Sequence, residues 1–126
     1  DNVSITNGDF DKASLKDFKI SNSNLSNIRS SNSILSKGEF VKVNLTASLF
    51  ENHSIEDSSF KNSDLSKAIF LKSEIKRADF TASVLGKIAL IKSNLEEVVF
   101  NNSPISNSQI REVTNIASVI INSPIS

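Results

Sequence analysis

Apolar and polar positions alternate along the chain with a period of five residues. Starting at Ile5, every fifth residue forms a column of 25 positions, and 23 of them are Leu, Ile or Phe. The two exceptions in this column of central residues are Ser30 and Asn115. The residue two positions before each central residue is mostly small, as at Gly8 and Ala13. Neither column contains Asp, Glu, Lys or Arg, so two positions in every five are predicted to face a core.

A five-residue period fits neither a helix nor a continuous strand. Five helical residues turn through roughly 500°, so the central residues would wander around the axis. In a strand, a step of five moves a side chain to the opposite face. The pattern is consistent with short strand segments that each end in a corner. Asn and Lys recur two positions after the central residue, as at Asn27 and Lys37, and Asn tolerates turn conformations.

The spacing of phenylalanine predicts how many sides each coil has. Seven of the eight Phe are central residues, and all seven lie at multiples of ten. A coil of four five-residue sides would stack Phe40, Phe60, Phe80 and Phe100 in one column and Phe10, Phe50 and Phe70 in the opposite one. A three-sided coil would mix Phe with Leu and Ile. The sequence therefore predicts an all-β fold of about six four-sided coils, with parallel ladders and no α-helix within residues 5–110.

Larger residues in the small column accompany smaller or branched central residues. Ile28 precedes Ser30, and Phe18 precedes Ile20. Close packing penalises both voids and overfilling. The paired changes therefore indicate a filled core.

The repeating unit resembles the pentapeptide-repeat family signature, A-(D/N)-L-x-x. It is carried by units such as Ser63-Asp64-Leu65-Ser66-Lys67 and Ala78-Asp79-Phe80-Thr81-Ala82, and 25 units in phase cover essentially the whole chain. The resemblance implies a right-handed quadrilateral β-helix forming a single domain over residues 1–126. The departures are Ser30 and Asn115 as central residues and Phe18, Ile28, His53 and Ile88 at the small position, so coils two and six are expected to be less regular.

Composition and charge exclude several classes of function. The 14 basic and 14 acidic residues cancel, so no long-range field draws in nucleic acid or anionic lipid. The absence of Cys excludes disulfides, thiolate zinc sites and a Cys nucleophile. No apolar run approaches the roughly 18 residues of a membrane span, and no leader pattern opens this sequence. We expect neither a nucleic-acid nor a membrane partner.

The localisation is left open between cytoplasmic and secreted. A chain without an initiator Met is expected to be a mature form, a trimmed form or a piece of something longer.

His53 is the only histidine and lies at an inward position. It could be a base or a metal ligand, but no other ligand type points inward, so a buried neutral imidazole bonded to backbone is favoured. Inward Ser residues such as Ser63 and Ser73 are expected to be spacers, because no base is within reach of them. Outward carboxylates such as Glu56 lie on a convex surface beside Arg77. We therefore expect no catalytic, cofactor or metal site, no small-molecule substrate and no enzymatic activity.

Outward apolar residues cluster on the side that carries Phe50, Phe70 and Leu90. Stacking of the coils would make five of them contiguous: Leu49, Ile69, Leu71, Ala89 and Ile91. Contiguous exposed apolar area is unusual in monomers. The alternative is incidental filling of a strand surface by residues of high β-propensity. We favour an interface with a protein partner or a second copy of the chain.

Further outward apolar residues lie near the C-terminal end, at Ile116, Val119 and Ile121. A solenoid must cover its last coil, and Pro104 and Pro124 each remove one ladder donor there. The sequence favours an end-on homodimer at this end, with continuation into another domain as the alternative.

Three functions agree with the resemblance. The first is a non-catalytic protein-interaction scaffold that acts through its outer faces. The second is the target-recognition β-helix of a secreted bacterial effector of the ubiquitin-ligase type. The third is a topoisomerase-protection protein that imitates DNA through an acidic surface, which the zero net charge disfavours. The first is the leading prediction.

Overall fold

The computed structural model describes residues 2–115 and 120–122, and side-chain burial as far as residue 115. Its regular elements are strands of three residues each, and the described residues contain no helix, hence no helix that could cross a membrane. In chain order the strands are β1 (Asp9–Asp11), β2 (Ser14–Lys16), β3 (Lys19–Ser21), β4 (Arg29–Ser31), β5 (Ile34–Ser36), β6 (Glu39–Val41), β7 (Leu49–Glu51), β8 (Ser54–Glu56), β9 (Ile69–Leu71), β10 (Glu74–Lys76), β11 (Ala89–Ile91), β12 (Asn94–Glu96), β13 (Val99–Asn101), β14 (Gln109–Arg111) and β15 (Ile120–Asn122).

The strands pair in parallel, and each pair joins residues that lie one coil apart. Phe50 pairs with Phe70 and Leu90 pairs with Ile110, each a separation of twenty residues. Face 1 stacks six strands, β1-β4-β7-β9-β11-β14, and face 2 stacks β2-β5-β8-β10-β12. Face 3 contains β3-β6 and β13-β15 joined by single bridges, and face 4 consists of single bridges such as Asn44 with Asp64. The predicted four-sided coil is confirmed, and residues 2–115 form between five and six coils.

Each side ends at a corner residue with a positive φ. These φ angles lie between 49° at Asn52 and 63° at Lys67, and none of the corner residues is glycine. The left-handed region disfavours most L-residues. The amide of each corner residue forms a hydrogen bond to the next coil, as where Lys37 N donates to the Glu56 carbonyl at 3.0 Å. The ladder therefore continues through the corner and stabilises its positive-φ conformation.

The Asp or Asn before some central residues fixes a tighter corner. Asp64 Oδ1 accepts the Ser66 amide at 2.9 Å, and the Ala68 amide then donates to the Leu65 carbonyl at 2.9 Å. Such a side chain stabilises a turn by replacing a backbone acceptor. The polar position of the repeat therefore selects the turn and does not face the core.

The core is built on the two predicted Phe columns. Phe60 is fully buried and its ring stacks on those of Phe40 and Phe80, with centroids 4.9 and 5.0 Å away. In the opposite column the Phe50 and Phe70 rings stack at 4.8 Å. The columns meet edge to face where Phe70 contacts Phe80 at 6.2 Å. Both predicted columns are confirmed.

Inward serines bridge successive coils. Ser63 Oγ donates to the Phe40 carbonyl at 3.2 Å and accepts the Val43 amide at 3.2 Å. Ser73 Oγ donates to the Phe50 carbonyl at 3.1 Å in the same way. A buried hydroxyl must be paired, and here the backbone supplies its partners. The predicted role of these serines as spacers is confirmed.

Phe18 is accommodated by Gly38 in the coil above it. A Cβ placed on Gly38 would lie 2.1 Å from the Phe18 ring, so only glycine fits there. The ring also meets Phe40 edge to face at 5.3 Å. The space for the large Phe18 side chain is therefore provided by Gly38, one coil further along, as well as by Ile20.

Gly38→Ala is expected to lower the free energy of unfolding by about 1–3 kcal/mol, because the new methyl group must displace the half-buried Phe18 ring. Urea unfolding provides the measurement. Gly86→Ala is the matched control, since a Cβ there would meet only Ser106 Oγ at 3.7 Å. Equal stability of the two variants would contradict the packing of Phe18 over Gly38.

The five-residue phase ends at Asn115. This residue was predicted to be central, but it is exposed and has a positive φ of 59°, which is a corner conformation. Beyond it, Ile121 rather than Ile120 pairs with Phe100, a separation of twenty-one residues. The prediction of an unbroken five-residue phase is therefore wrong in the last strand, where the pairing has moved by one residue.

The predicted end-on interface falls largely beyond the described part of the chain. Ile116, Val119 and Pro124 lie outside the described residues, and Ile121 is described only by its backbone pairing. The end-on dimer therefore stays a prediction.

Candidate functional site

The outward residues of face 1 form two adjacent rows. Leu49, Ile69 and Ala89 are paired along one row, and Leu71 and Ile91 along the other. Paired side chains on neighbouring strands are in contact range. The pairing therefore makes the five predicted residues contiguous.

Exposure within the two rows is uneven. Ile69 is 39% exposed, Leu49, Leu71 and Ile91 are half-buried, and Ala89 is buried with 8% exposed. Ala89 was predicted to contribute to an interface, yet its small side chain offers little surface. We call the other four residues, Leu49, Ile69, Leu71 and Ile91, the face-1 patch.

Lysines at the two neighbouring corners frame the face-1 patch. Lys67 and Lys87 lie two residues before β9 and β11, and Lys72 and Lys92 come directly after these strands. All four side chains are exposed, and Lys92 alone of the four forms an ion pair among the described residues, with Glu112 at 3.9 Å. Around β9 and β11 the patch is therefore an apolar strip with lysines on both sides, one of which is paired with Glu112. Sequence reasoning missed this frame, although the recurrence of Lys in the corner column was visible.

A shallow depression opens at one end of the face-1 patch. Leu71 and Ile91 form its apolar side, and Lys92, Arg111 and Glu112 form its charged side. A partner side chain placed over Ile91 would therefore meet carbon on one side and charged groups on the other.

The corner that follows face 2 differs, because its acidic and basic side chains are paired with one another. Arg77 donates to Glu56 Oε1 and to Asp57 Oδ1, both at 2.6 Å. The hydrogen bond from Arg77 lowers the pKa of Asp57 below its ordinary value. Lys76 and Glu96 lie 3.8 Å apart on the same side. These ion pairs join successive coils, and acidic and basic groups alternate along this edge.

His53 is buried and contacts the unusual central residue Ser30. The Ser30 Oγ and His53 Nε2 atoms are 2.8 Å apart, and the His53 ring meets Phe50 edge to face at 5.5 Å. Burial lowers the pKa of His53 to about 4. A buried neutral imidazole agrees with the prediction, but its close partner is a side chain. The expectation that no inward serine has a base in reach was wrong for Ser30.

A hydroxyl beside a neutral imidazole is the contact that activates a serine nucleophile. Here the His53 Nδ1 atom has no partner at hydrogen-bonding geometry within the described residues, so no third group orients the ring. Ser30 is only 7% exposed. The described residues also contain no group of three His, Cys, Asp or Glu that could hold a metal ion. The pair is arranged as a buried hydrogen bond between two coils.

Comparison with known proteins identifies the fold. No protein-family model and no curated protein sequence matches the chain. The pentapeptide-repeat protein Rfr23 from the cyanobacterium Cyanothece 51142 superposes with a TM-score of 0.60 at 10% identity, covering 98% of this chain and 91% of that one.

Two further structures resemble the chain more distantly. Full-length QnrB1, a plasmid-mediated fluoroquinolone resistance protein, matches with a TM-score of 0.37 at 17% identity and covers 94% of both chains. HetL, a pentapeptide-repeat protein involved in heterocyst differentiation in Nostoc, matches with a TM-score of 0.28 at 9% identity, covering 94% of this chain and 87% of that one. The stacking of four-sided coils and the superposition on Rfr23 together establish that this chain has the pentapeptide-repeat β-helix fold.

Proposed function

We propose that the protein is a non-catalytic interaction scaffold that binds an acidic, partly apolar protein segment through the face-1 patch. The observation that carries the proposal is the partly exposed apolar strip around Ile69, with lysines at the corners on both sides of β9 and β11. Exposed apolar area within a polar rim is typical of protein-binding surfaces.

The charges around the patch favour a foreign partner over a second copy. In a symmetric dimer the same surface meets itself, so the lysine edges of one copy would face those of the other. Like charges brought together in this way suppress association. A segment with apolar side chains between Asp or Glu residues would instead pair with both edges.

The buried Ser30 and His53 pair supports a non-catalytic role. The Ser30 hydroxyl is engaged with the imidazole in a buried hydrogen bond between two coils. The base has no orienting group on Nδ1 among the described residues. The proposed protein-binding function is therefore assigned to the outer surface, and no catalytic role is assigned to this pair.

A synthetic peptide probe tests the proposed partner chemistry. The probe is a labelled helix of roughly 18 residues with a Leu stripe flanked by Glu on both sides. We expect it to bind saturably by fluorescence anisotropy, and more weakly as salt rises. A matched peptide with Lys in place of Glu should not bind. Binding to anionic lipid vesicles without binding to the acidic peptide would contradict a protein partner.

The double variant Ile69→Lys plus Ile91→Lys is expected to weaken binding of the acidic peptide at least about tenfold, which is about 1.4 kcal/mol, while the fold is retained. The matched control is Ile34→Lys plus Val84→Lys, which makes the same changes at residues 50% and 54% exposed on faces 2 and 4. Circular dichroism checks the fold of both. Equal affinities of the two double variants for the peptide would show that the face-1 patch is ordinary strand surface and not the binding site.

A further inference from the structure

A cavity of about 230 Å³ lies inside the first coils, near residue 5. Its walls are almost entirely carbon and include Phe10, Leu25, Ile28, Leu35 and Phe50, with Ser30 between the two Phe residues. An engineered apolar cavity of about 150 Å³ is enough to bind benzene. The cavity is therefore large enough for a small organic molecule.

Ser30 creates this space by interrupting the face-1 Phe column. Strand pairing places Ser30 between Phe10 and Phe50, and the next step, Phe50 to Phe70, is a ring stack at 4.8 Å and 8°. Two strand spacings, about 9.6 Å, separate the Phe10 and Phe50 backbones. That spacing admits one aromatic ring between two others, at the ordinary stacking distance on each side.

The polar side chains in the wall, Ser30 and Ser33, are already satisfied. Ser33 Oγ accepts the Ala13 amide at 3.0 Å and donates to the Ser31 carbonyl at 2.8 Å. Ser30 Oγ is bonded to His53 Nε2 at 2.8 Å, so a ligand need not supply a hydrogen bond to it. A charged ligand would lose its hydration with no partner to replace it. The lining therefore selects an uncharged, apolar molecule.

Within the described residues, the cavity is open on the side of the first coil. Ile5 and Leu15, which contribute to its lining, are 40% and 41% exposed. Deeper lining residues such as Phe50 are 1% exposed. The cavity thus has an open rim and a closed floor.

We propose that this cavity binds a small neutral aromatic molecule, of benzene to indole size, stacked between the Phe10 and Phe50 rings. This departs from the expectation that the chain has no small-molecule ligand, although it implies binding and no turnover. The site is separate from the face-1 patch, which lies on the outside of later coils.

Indole is the probe for this site. The chain has no Trp and no Tyr, so indole fluorescence is measured without a protein background. We expect saturable 1:1 binding with a blue-shifted emission. Ser30→Phe fills the space with a side chain and should weaken binding at least about tenfold, or about 1.4 kcal/mol. Ser31→Phe adds the same ring to the outer side of β4 and should leave the affinity unchanged.

Methyl NMR on the unchanged protein keeps the proposal testable if Ser30→Phe does not fold. Titrated benzene should shift the Ile28 and Leu35 methyl groups and leave those of Leu95, in a distant coil, in place. Absence of saturable indole binding, full affinity in Ser30→Phe, or benzene shifts centred on Leu95 would each overturn the proposal. An end-to-end dimer that buries Ile5 and Leu15 and shows no benzene shift would also overturn it.

Discussion

Phe60→Ala is expected to lower the free energy of unfolding by about 3–5 kcal/mol. Phe60 is fully buried, and its ring is stacked between those of Phe40 and Phe80, whose backbones are fixed by the ladder. The walls of the resulting cavity therefore cannot collapse far. Urea unfolding followed by circular dichroism measures the change. Phe10→Ala, at a half-buried residue of the first coil, is the matched control and should cost less. A loss below about 1 kcal/mol for Phe60→Ala would mean that the column is not packed as described.

Stability is expected to fall by up to about 3 kcal/mol as the pH drops from about 6.5 to 4. Burial lowers the pKa of His53 in the folded protein to about 4, below its ordinary value of 6.5. Between these values the unfolded chain binds a proton that the folded chain does not, so acid favours unfolding. The contribution is fully present above about pH 6.5 and is lost as the pH falls toward 4.

Urea unfolding across this pH range tests the assignment to His53. His53→Gln is the control, because it cannot take up a proton and should flatten the dependence. The pKa of Asp57 is lowered by Arg77, so that carboxylate loses its contribution mainly below the window set by His53. An unchanged pH dependence in His53→Gln would show that other groups cause it.

The fold was predictable from the sequence because its period is strict and its bulky residues are unevenly placed. A column without charges fixed which positions face inward, and Phe at multiples of ten fixed the coil length. The stacked rings of Phe40, Phe60 and Phe80 confirm that inference. The pairing partners of these strands can be predicted from the sequence, because each strand pairs with the segment twenty residues away.

Contacts between different columns were not predictable in the same way. Ser30 and His53 are 23 residues apart and occupy different columns, so no single column shows that they meet. Phe18 and Gly38 lie in one column, but their pairing depends on how far a ring reaches into the next coil. The corner conformation of Asn115 and the shifted pairing of the last strand are not revealed by the apolar residues Ile120 and Ile121.

The candidate surface was partly predictable. Alternation placed Ile69 and Ile91 outside, and the coil length placed them in contact range. Ala89 was assigned by the same rule, but its burial depends on its neighbours. The lysine frame required the corner column to be compared with the strand that it flanks, since the four lysines are not contiguous in sequence.

Backbone NMR with the acidic amphipathic peptide tests the central claim, that the outer side of face 1 is the binding surface. The account predicts amide shift changes confined to β7, β9 and β11 and to the corners at Lys67, Lys72, Lys87 and Lys92. Shift changes centred on face 2 or face 4, or no shift changes at a peptide concentration that saturates the anisotropy signal, would contradict it.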